Sequence, residues 1–300
     1  MSAIKIRYTG WIHHKNIHGL NLLKSEGIDV APLSPEEKDE PKNLILFVHD
    51  RIDINLSKKY TNVIAGPHVD FFNLITQVNE LKTDRKINFN MLSDWNRSNI
   101  MKETNNPMVN FISIPYPVDI NRYKPLPTGQ QDQFFVYFKG RHPGCLQEIR
   151  DMIDRNQEKL PKNYRIFCYG SYRDDDYLNY IQNCRFGIWV GSHESQGFAL
   201  EEALSCNVPL FIYNVKSLKD EFAHGRFIYQ DKNSDLIATT APYFSDQCGM
   251  IVNSTDDLDN QLRCFMNNLS KNIYSPREYV VTNLSTTQFK ERLKKLFELP

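Results

Sequence analysis

Residues 192–205 read SHESQGFALEEALS and hold two carboxylates eight positions apart, Glu194 and Glu202, on either side of Gly197. The apolar run FGIWV (186–190) precedes them and VPLFIYN (208–214) follows. FGIWV reads as a buried strand and 198–206 as a helix, so Glu194 falls in the loop past the strand end and Glu202 just inside the helix. A carboxylate that accepts two hydroxyl hydrogen bonds suits the diol of a ribose or hexose, at about 1.5–3 kcal/mol per charge-assisted bond. With Ser195 as the expected N-cap, the amides of Gln196, Gly197, Phe198 and Ala199 have no partner within the helix. Such amides suit a phosphate, and Gly197 lets a ligand come close to the backbone. The chemistry implied is the grip of two sugars with phosphates between them. The same letters also fit Glu201 and Glu202 solvating an outer helix face, and periodicity does not choose between these two.

The elements that must position these groups alternate along the chain. Strand-like runs are IKIRYTG (4–10), IDVAPL (28–33), NLILFVHD (43–50), NVIAGPH (62–68), INFNML (87–92) and FISIPYP (111–117), with helix-like IHGLNLLKSEG, FFNLITQVNELK and DWNRSNIMKET between several of them. A Pro-rich polar stretch, PYPVDINRYKPLPTGQQDQ (115–133), then reads as a linker. The alternation resumes with QFFVYFKG (133–140), a helix over 145–156, YRIFCYG (164–170), a helix opening at Asp174–Asp176, and FGIWVGS, followed later by VPLFIYN and GMIV. Apolar strands joined through helices imply parallel sheets covered on both faces. The expected architecture is α/β, with two Rossmann-like domains and a cleft between them. The boundaries are 1–118 for the first domain, 119–132 for the linker, 133–284 for the second domain, and 285–300 for a helix returning to the first domain. In that last helix Phe289, Leu293, Leu296 and Phe297 share one face among Lys290, Arg292, Lys294 and Lys295. It is read as docked on the protein, in preference to lying on an anionic membrane.

Composition bounds the function. Thirty-six basic residues balance 36 acidic ones, which weighs against a nucleic-acid partner because counterion displacement needs a basic face. The six cysteines form no CxxC pair and fall in strand-like or helical runs. With no leader-like start and no apolar run of membrane-spanning length, a reducing, cytoplasmic location is expected.

The segment ESQGFALEEALSCNVPLFIYN resembles the Glu-x7-Glu signature of retaining glycosyltransferases of family 4, matched by Glu194, Gly197, Glu202, Ala203 and Pro209. The match selects Glu202 over Glu201. SIPYPVDINRYKP (113–125) is similar to the family's interdomain segment, FVYFKGR (135–141) to its Gly-Arg strand end, and YGSYRDDDYLNYIQNCRFGIWVGSHE (169–194) to the units leading into the signature. The resemblance covers most of 87–214 and implies a GT-B fold. It further implies transfer of a sugar from a nucleotide-diphosphate donor to a glycan, protein or lipid acceptor, with no metal or other cofactor. Carried over residue by residue, Glu202 binds the nucleotide ribose, Glu194 faces the transferred sugar and Arg141 pairs with the diphosphate. Gly10 in the loop after the first strand closes over the phosphates, and His68 sits by the reacting carbon. Apart from the matched positions, Ser171 and Tyr172 are read as flanking the base.

The chain departs from the family at the usual Arg-x4-Lys pair, because Leu146 stands where the Lys belongs. Lys139 or His142 is left to supply the second cation. The alternative function is therefore a weak or inactive GT-B protein that binds nucleotide-sugar or a protein partner. A third reading uses Asp174 and Asp176 as a D-x-D metal pair in a GT-A-like enzyme, against which the triplet reads as a helix start. His14 and His18, spaced i, i+4, have metal-ligand spacing but no accompanying Glu or Cys, and read as part of a polar helix start. No G-x-G-x-x-G follows the first strand, and neither a P-loop nor a serine nucleophile elbow occurs.

Overall fold

The computed structural model describes residues 4–34, 37, 44–67, 71–127, 132–230 and 236–299. The chain divides into two compact units, one of Met1–Pro117 with Leu284–Pro300 and one of Val118–Asn283. In the first, β1 (Lys5–Thr9), α1 (His14–Leu22), β2 (Asp29–Pro32), β3 (Leu44–Val48), α2 (Ile54–Lys59) and β4 (Asn62–Ala65) follow in order. They are continued by α3 (Phe71–Glu80), β5 (Ile87–Asn90), α4 (Asp94–Glu103) and β6 (Val109–Ile112). All five residues of β3, LILFV, are buried, as expected of a central strand with both faces covered. The six strands form one parallel sheet in the order β2-β1-β3-β4-β5-β6. Chain direction across the sheet reverses between β1 and β3, where parallel α/β sheets leave a crevice at their carboxyl edge.

The second unit contains β7 (Gln133–Lys139), α5 (Pro143–Arg155), β8 (Asn163–Cys168), α6 (Asp174–Ile181), β9 (Cys184–Gly191) and α7 (Phe198–Ser205). After these come β10 (Leu210–Tyr213), a hairpin of β11 (Phe222–Ala223) and β12 (Arg226–Phe227), β13 (Gly249–Val252), α8 (Leu258–Ser270) and α9 (Pro276–Asn283). Five strands form a second parallel sheet in the order β13-β10-β9-β7-β8. Its order reverses between β7 and β9, which run side by side from Phe134↔Phe186 to Lys139↔Gly191. That register brings Lys139 and Glu194, 55 positions apart, to the same sheet edge.

One face of this sheet packs Phe134, Val136, Phe186, Ile188 and Val190 with Ile149, Met152 and Ile153 of α5 and Leu262 and Phe265 of α8. On the other face Tyr137 stacks on Trp189 at 3.9 Å between centroids and Phe135 meets Tyr177 edge-on at 5.9 Å. Gly187 is required there, since a Cβ would run into the Phe135 ring.

Residues 118–124, expected as part of a linker, are instead packed on the second unit. Arg277 of α9 donates to the carbonyls of Ile120 and Tyr123, both at 3.0 Å, and of Ser205 at 2.7 Å, while the Ser205 hydroxyl donates to Tyr123 at 2.6 Å. One guanidinium thus ties this segment to the end of α7, and Val118 and Tyr123 are buried. The Pro-rich composition marked an irregular backbone but not where its carbonyls would be satisfied.

The last helix, α10 (Thr286–Phe297), lies in the first unit. Phe289 stacks on Tyr116 at 5.7 Å and on Phe47 at 6.3 Å, and both Phe289 and Leu293 are buried. Its apolar stripe is thus occupied by the protein's own core. Among the described residues no helix is long and apolar enough to cross a membrane.

Candidate functional site

The groups singled out at residues 192–205 gather at the carboxyl edge of the second sheet, at its reversal point. The β7 backbone ends on Lys139, whose carbonyl accepts the Ser192 amide at 2.7 Å. The loop after β9 is held at its far side by the Glu194 amide, which donates to the Thr239 carbonyl at 3.0 Å. These anchors aim the Glu194 carboxylate at the Lys139 ammonium, 2.8 Å away, with side-chain exposures of 10% and 23%. Lys139 also lies 4.6 Å from the centre of the Tyr169 ring. Burial works against its charge, but the field of Glu194, the hydrogen bond to it, and the more distant Glu221 outweigh that and hold its pKa above the usual lysine value.

Gly197, not Ser195, occupies the N-cap of α7, with φ +93° and no side-chain cap. The turn needs a left-handed residue, which only glycine adopts cheaply, and Ser195 stands two residues too early. The first-turn amides of the helix therefore begin at Phe198 and Ala199, with Gln196 and Gly197 in the approach.

Gln196 is buried and donates to Glu201 at 2.9 Å. Glu201 is fully buried and Glu202 is 4% exposed, so neither solvates an outer face. The two differ in neighbours: Glu201 is engaged by Gln196, whereas Glu202 lies close enough to Tyr177 and Cys206 to help raise the pKa of both after burial itself. The Tyr177 hydroxyl in turn donates to the Ala199 carbonyl at 2.9 Å.

Arg141 is buried, donates to the carbonyls of Gly191 at 3.3 Å and Tyr213 at 3.5 Å, and lies 4.5 Å from the Tyr213 ring centre. It is thus held by the ends of β9 and β10. His142 caps α5 by accepting the Gly144 amide at 3.1 Å, and its ring packs against Phe222 and Phe227 of the hairpin. Leu146 packs into the apolar core behind the sheet. Of the two replacements considered for the missing lysine, Lys139 is the one beside Glu194. Tyr172, after β8, shares a 3.0 Å hydrogen bond with the buried Tyr137 hydroxyl.

Gly10 follows β1 in the first unit with φ +85°, its α-carbon facing the Asp50 carboxylate. His68 lies outside the described residues. Asp174, Asp175 and Asp176 form the first turn of α6, and Asp175 pairs with Arg122 at 2.6 Å. His14 and His18 lie on α1, capped by His13.

Sequence reasoning missed a second acid–base pair, His193 Nδ1 with Glu221 at 2.7 Å, and the hairpin that follows it. The Phe222 amide donates to the Gly140 carbonyl at 2.9 Å, which lays the hairpin along the Lys139–Arg141 loop. His193, next to Glu194 in SHES, was a usable signal. Glu221 stands in a stretch with no periodicity and gave none.

The chain matches no family model and no curated protein. Solved structures do resemble it. TarM aligns at 12% identity over 95% of this chain and 59% of its own, with a TM-score of 0.51. A chain of the GtfA/B complex aligns at 10% identity over 96% of this chain and 61% of its own, at 0.52. Sucrose-phosphate synthase from Thermosynechococcus elongatus aligns at 9% identity over 98% of both chains, at 0.51. The chain thus spans about three-fifths of the first two. What it shares with them is the fold, the parallel α/β architecture of GT-B proteins.

Proposed function

We propose that this protein is a retaining glycosyltransferase that moves a sugar from a nucleotide-diphosphate donor to a glycan acceptor without a metal ion. The observation that carries the reading is the Glu194–Lys139 pair beside the glycine-capped start of α7 at the reversal point of the second sheet, with Glu202 buried further along that helix. A GT-B fold neighbour named as a sucrose-phosphate synthase agrees with sugar chemistry.

In this reading the diphosphate lies against the amides of Phe198 and Ala199, where the helix dipole favours negative charge. Glu202 accepts the ribose hydroxyls, Glu194 accepts hydroxyls of the transferred sugar, and Tyr172 borders the base. As the sugar–phosphate bond breaks, charge gathers on the leaving diphosphate. Lys139 supplies the cation that Leu146 cannot. Arg141 adds fixed positive charge, since a guanidinium has five donors and carbonyls hold it in place. His68 is assigned to the reacting carbon on the resemblance alone.

The test is a thermal-shift and hydrolysis screen of the purified protein against UDP-, GDP- and ADP-sugars in EDTA. Binding of one donor with slow hydrolysis is expected. Glu202→Ala should weaken donor affinity about tenfold or more, one charge-assisted bond being worth about 1.5–3 kcal/mol, and Glu194→Ala should mainly lower turnover. No binding by any donor, or wild-type behaviour in both variants, defeats the proposal. Binding with no turnover against any acceptor reduces the protein to a nucleotide-sugar binder, and activity that requires Mn²⁺ defeats the metal-independent mechanism.

A further inference from the structure

Glu221 follows the short 3-10 turn Leu218–Asp220 and stands at the root of the β11–β12 hairpin. Its amide donates to the Leu218 carbonyl and its carbonyl accepts the Ile228 amide, both at 3.1 Å, so it sits where the chain enters and leaves the hairpin. Two-residue strands joined by His224 and Gly225, at φ +52° and +77°, do not hold together in water by themselves. Anchors from outside must hold them. The Phe222 amide on the Gly140 carbonyl is one. The packing of Phe222 and Phe227 on the His142 ring, at 5.1 and 5.9 Å between centroids, is another.

The third is His193. Its Nδ1 lies 2.7 Å from Glu221 Oε2, and both atoms are shut off from solvent. Two acceptors would repel at that separation, so a proton lies between them. A shielded carboxylate oxygen left without such a partner is costly, which gives the contact its holding power. The neighbours of His193 tie it to the site: the Ser192 amide donates to the Lys139 carbonyl at 2.7 Å, and Glu194 takes the Lys139 ammonium at 2.8 Å. The Lys139–Arg141 loop is therefore clamped between residues 192–194 and the hairpin. The fit is close, since a Cβ on Gly140 would come 2.6 Å from the Ser192 hydroxyl. Lys139 feels both acids: burial opposes its charge, while Glu194, then Tyr169 and Glu221, support it.

We infer that His193 is a positioning residue, which through Glu221 fastens the hairpin along the Lys139–Arg141 loop and so fixes where that loop holds its two cations. The inference rests on the transferase reading for what the cations serve, the leaving diphosphate, but the fastening is tested without donor.

Arg226 is exposed on the hairpin, and the rate of trypsin cleavage after it reads how firmly the hairpin is held. His193→Ala and Glu221→Ala should each speed that cleavage about fivefold or more through local opening, with circular dichroism unchanged. The double variant should be no faster than either single, because all three lack the same contact. His193→Asn, whose side-chain amide can take the place of Nδ1, should restore slow cleavage. In hydrolysis of a nucleotide-sugar, His193→Ala should lower kcat about tenfold and change KM less, since the cations act on charge that gathers as the bond breaks. His193→Asn should recover kcat as well. Equal cleavage in the wild type and His193→Ala overturns the inference, as do additive effects in the double variant. Faster cleavage with unaltered kcat and KM overturns the positioning role. So does a kcat loss that His193→Asn leaves in place while restoring slow cleavage, which would put the His193 ring on the substrate itself. A wild type that hydrolyses no nucleotide-sugar refutes the transferase reading, and the cleavage rates still decide whether His193 fastens the hairpin.

Discussion

Replacing Lys139 with methionine removes one partner of the Lys139–Glu194 pair while keeping most of the side chain's volume. At 2.8 Å and an effective dielectric near 20, the Coulomb attraction is about 6 kcal/mol. Desolvating the two ions costs several kcal/mol each, so the intact pair contributes little net. The variant keeps the cost of the Glu194 carboxylate and loses its compensation, a loss of about 3–5 kcal/mol for a fully buried pair. With the side chains 23% and 10% exposed, water screens part of this, and we expect about 2–3 kcal/mol. In urea unfolding followed by circular dichroism this is a midpoint shift of about 1 M. The double variant Lys139→Met/Glu194→Gln should recover much of the loss, because no charge is left without a partner. The pH dependence follows from the raised pKa of Lys139. An unfolded lysine titrates near 10.5 and the folded one higher, so the extra stability is fully present below about pH 10.5 and disappears as pH climbs through the folded-state value. A single-variant loss below about 0.5 kcal/mol at pH 7, or a double variant no more stable than the single, would refute this account of the pair.

Three other outcomes follow from the same structure. Gly197→Ala forces a side chain into a left-handed turn and should cost about 1–2 kcal/mol in denaturant unfolding, with weaker donor binding because the start of α7 shifts. Arg277→Leu leaves the carbonyls of Ile120, Tyr123 and Ser205 without their shared donor. It should lower stability by about 2–4 kcal/mol and open residues 118–127 to limited proteolysis, and an unchanged digestion pattern would count against the strap. Burial pushes the Cys206 thiol up to about 12 and the Cys248 thiol up to about 11. Thiol labelling at pH 8 should therefore modify the exposed Cys168 and Cys264 first and reach Cys206, Cys248 and Cys184 only on unfolding.

The amino-acid sequence by itself determined the α/β alternation, because apolar runs such as LILFV in β3 and FFVYF in β7 are local signals of strands buried on both faces. It also picked out the amphipathic stripe of α10 and the placing of Glu194 past a strand end. The finer site was decided by tertiary structure. The N-cap moved from Ser195 to Gly197 because backbone handedness, not side-chain capping preference, ruled at that turn. Glu201 and Glu202 carry the same letter in adjacent positions and are both buried, so only their neighbours, Gln196 for one and the Tyr177–Cys206 side for the other, tell them apart. The pairing of Lys139 with Glu194, of His193 with Glu221, and of Arg277 with the 118–124 segment joins residues far apart in the chain. Local periodicity carries no information on such pairs, because strand order and register, fixed by the packing of the whole sheet, set which loop ends meet.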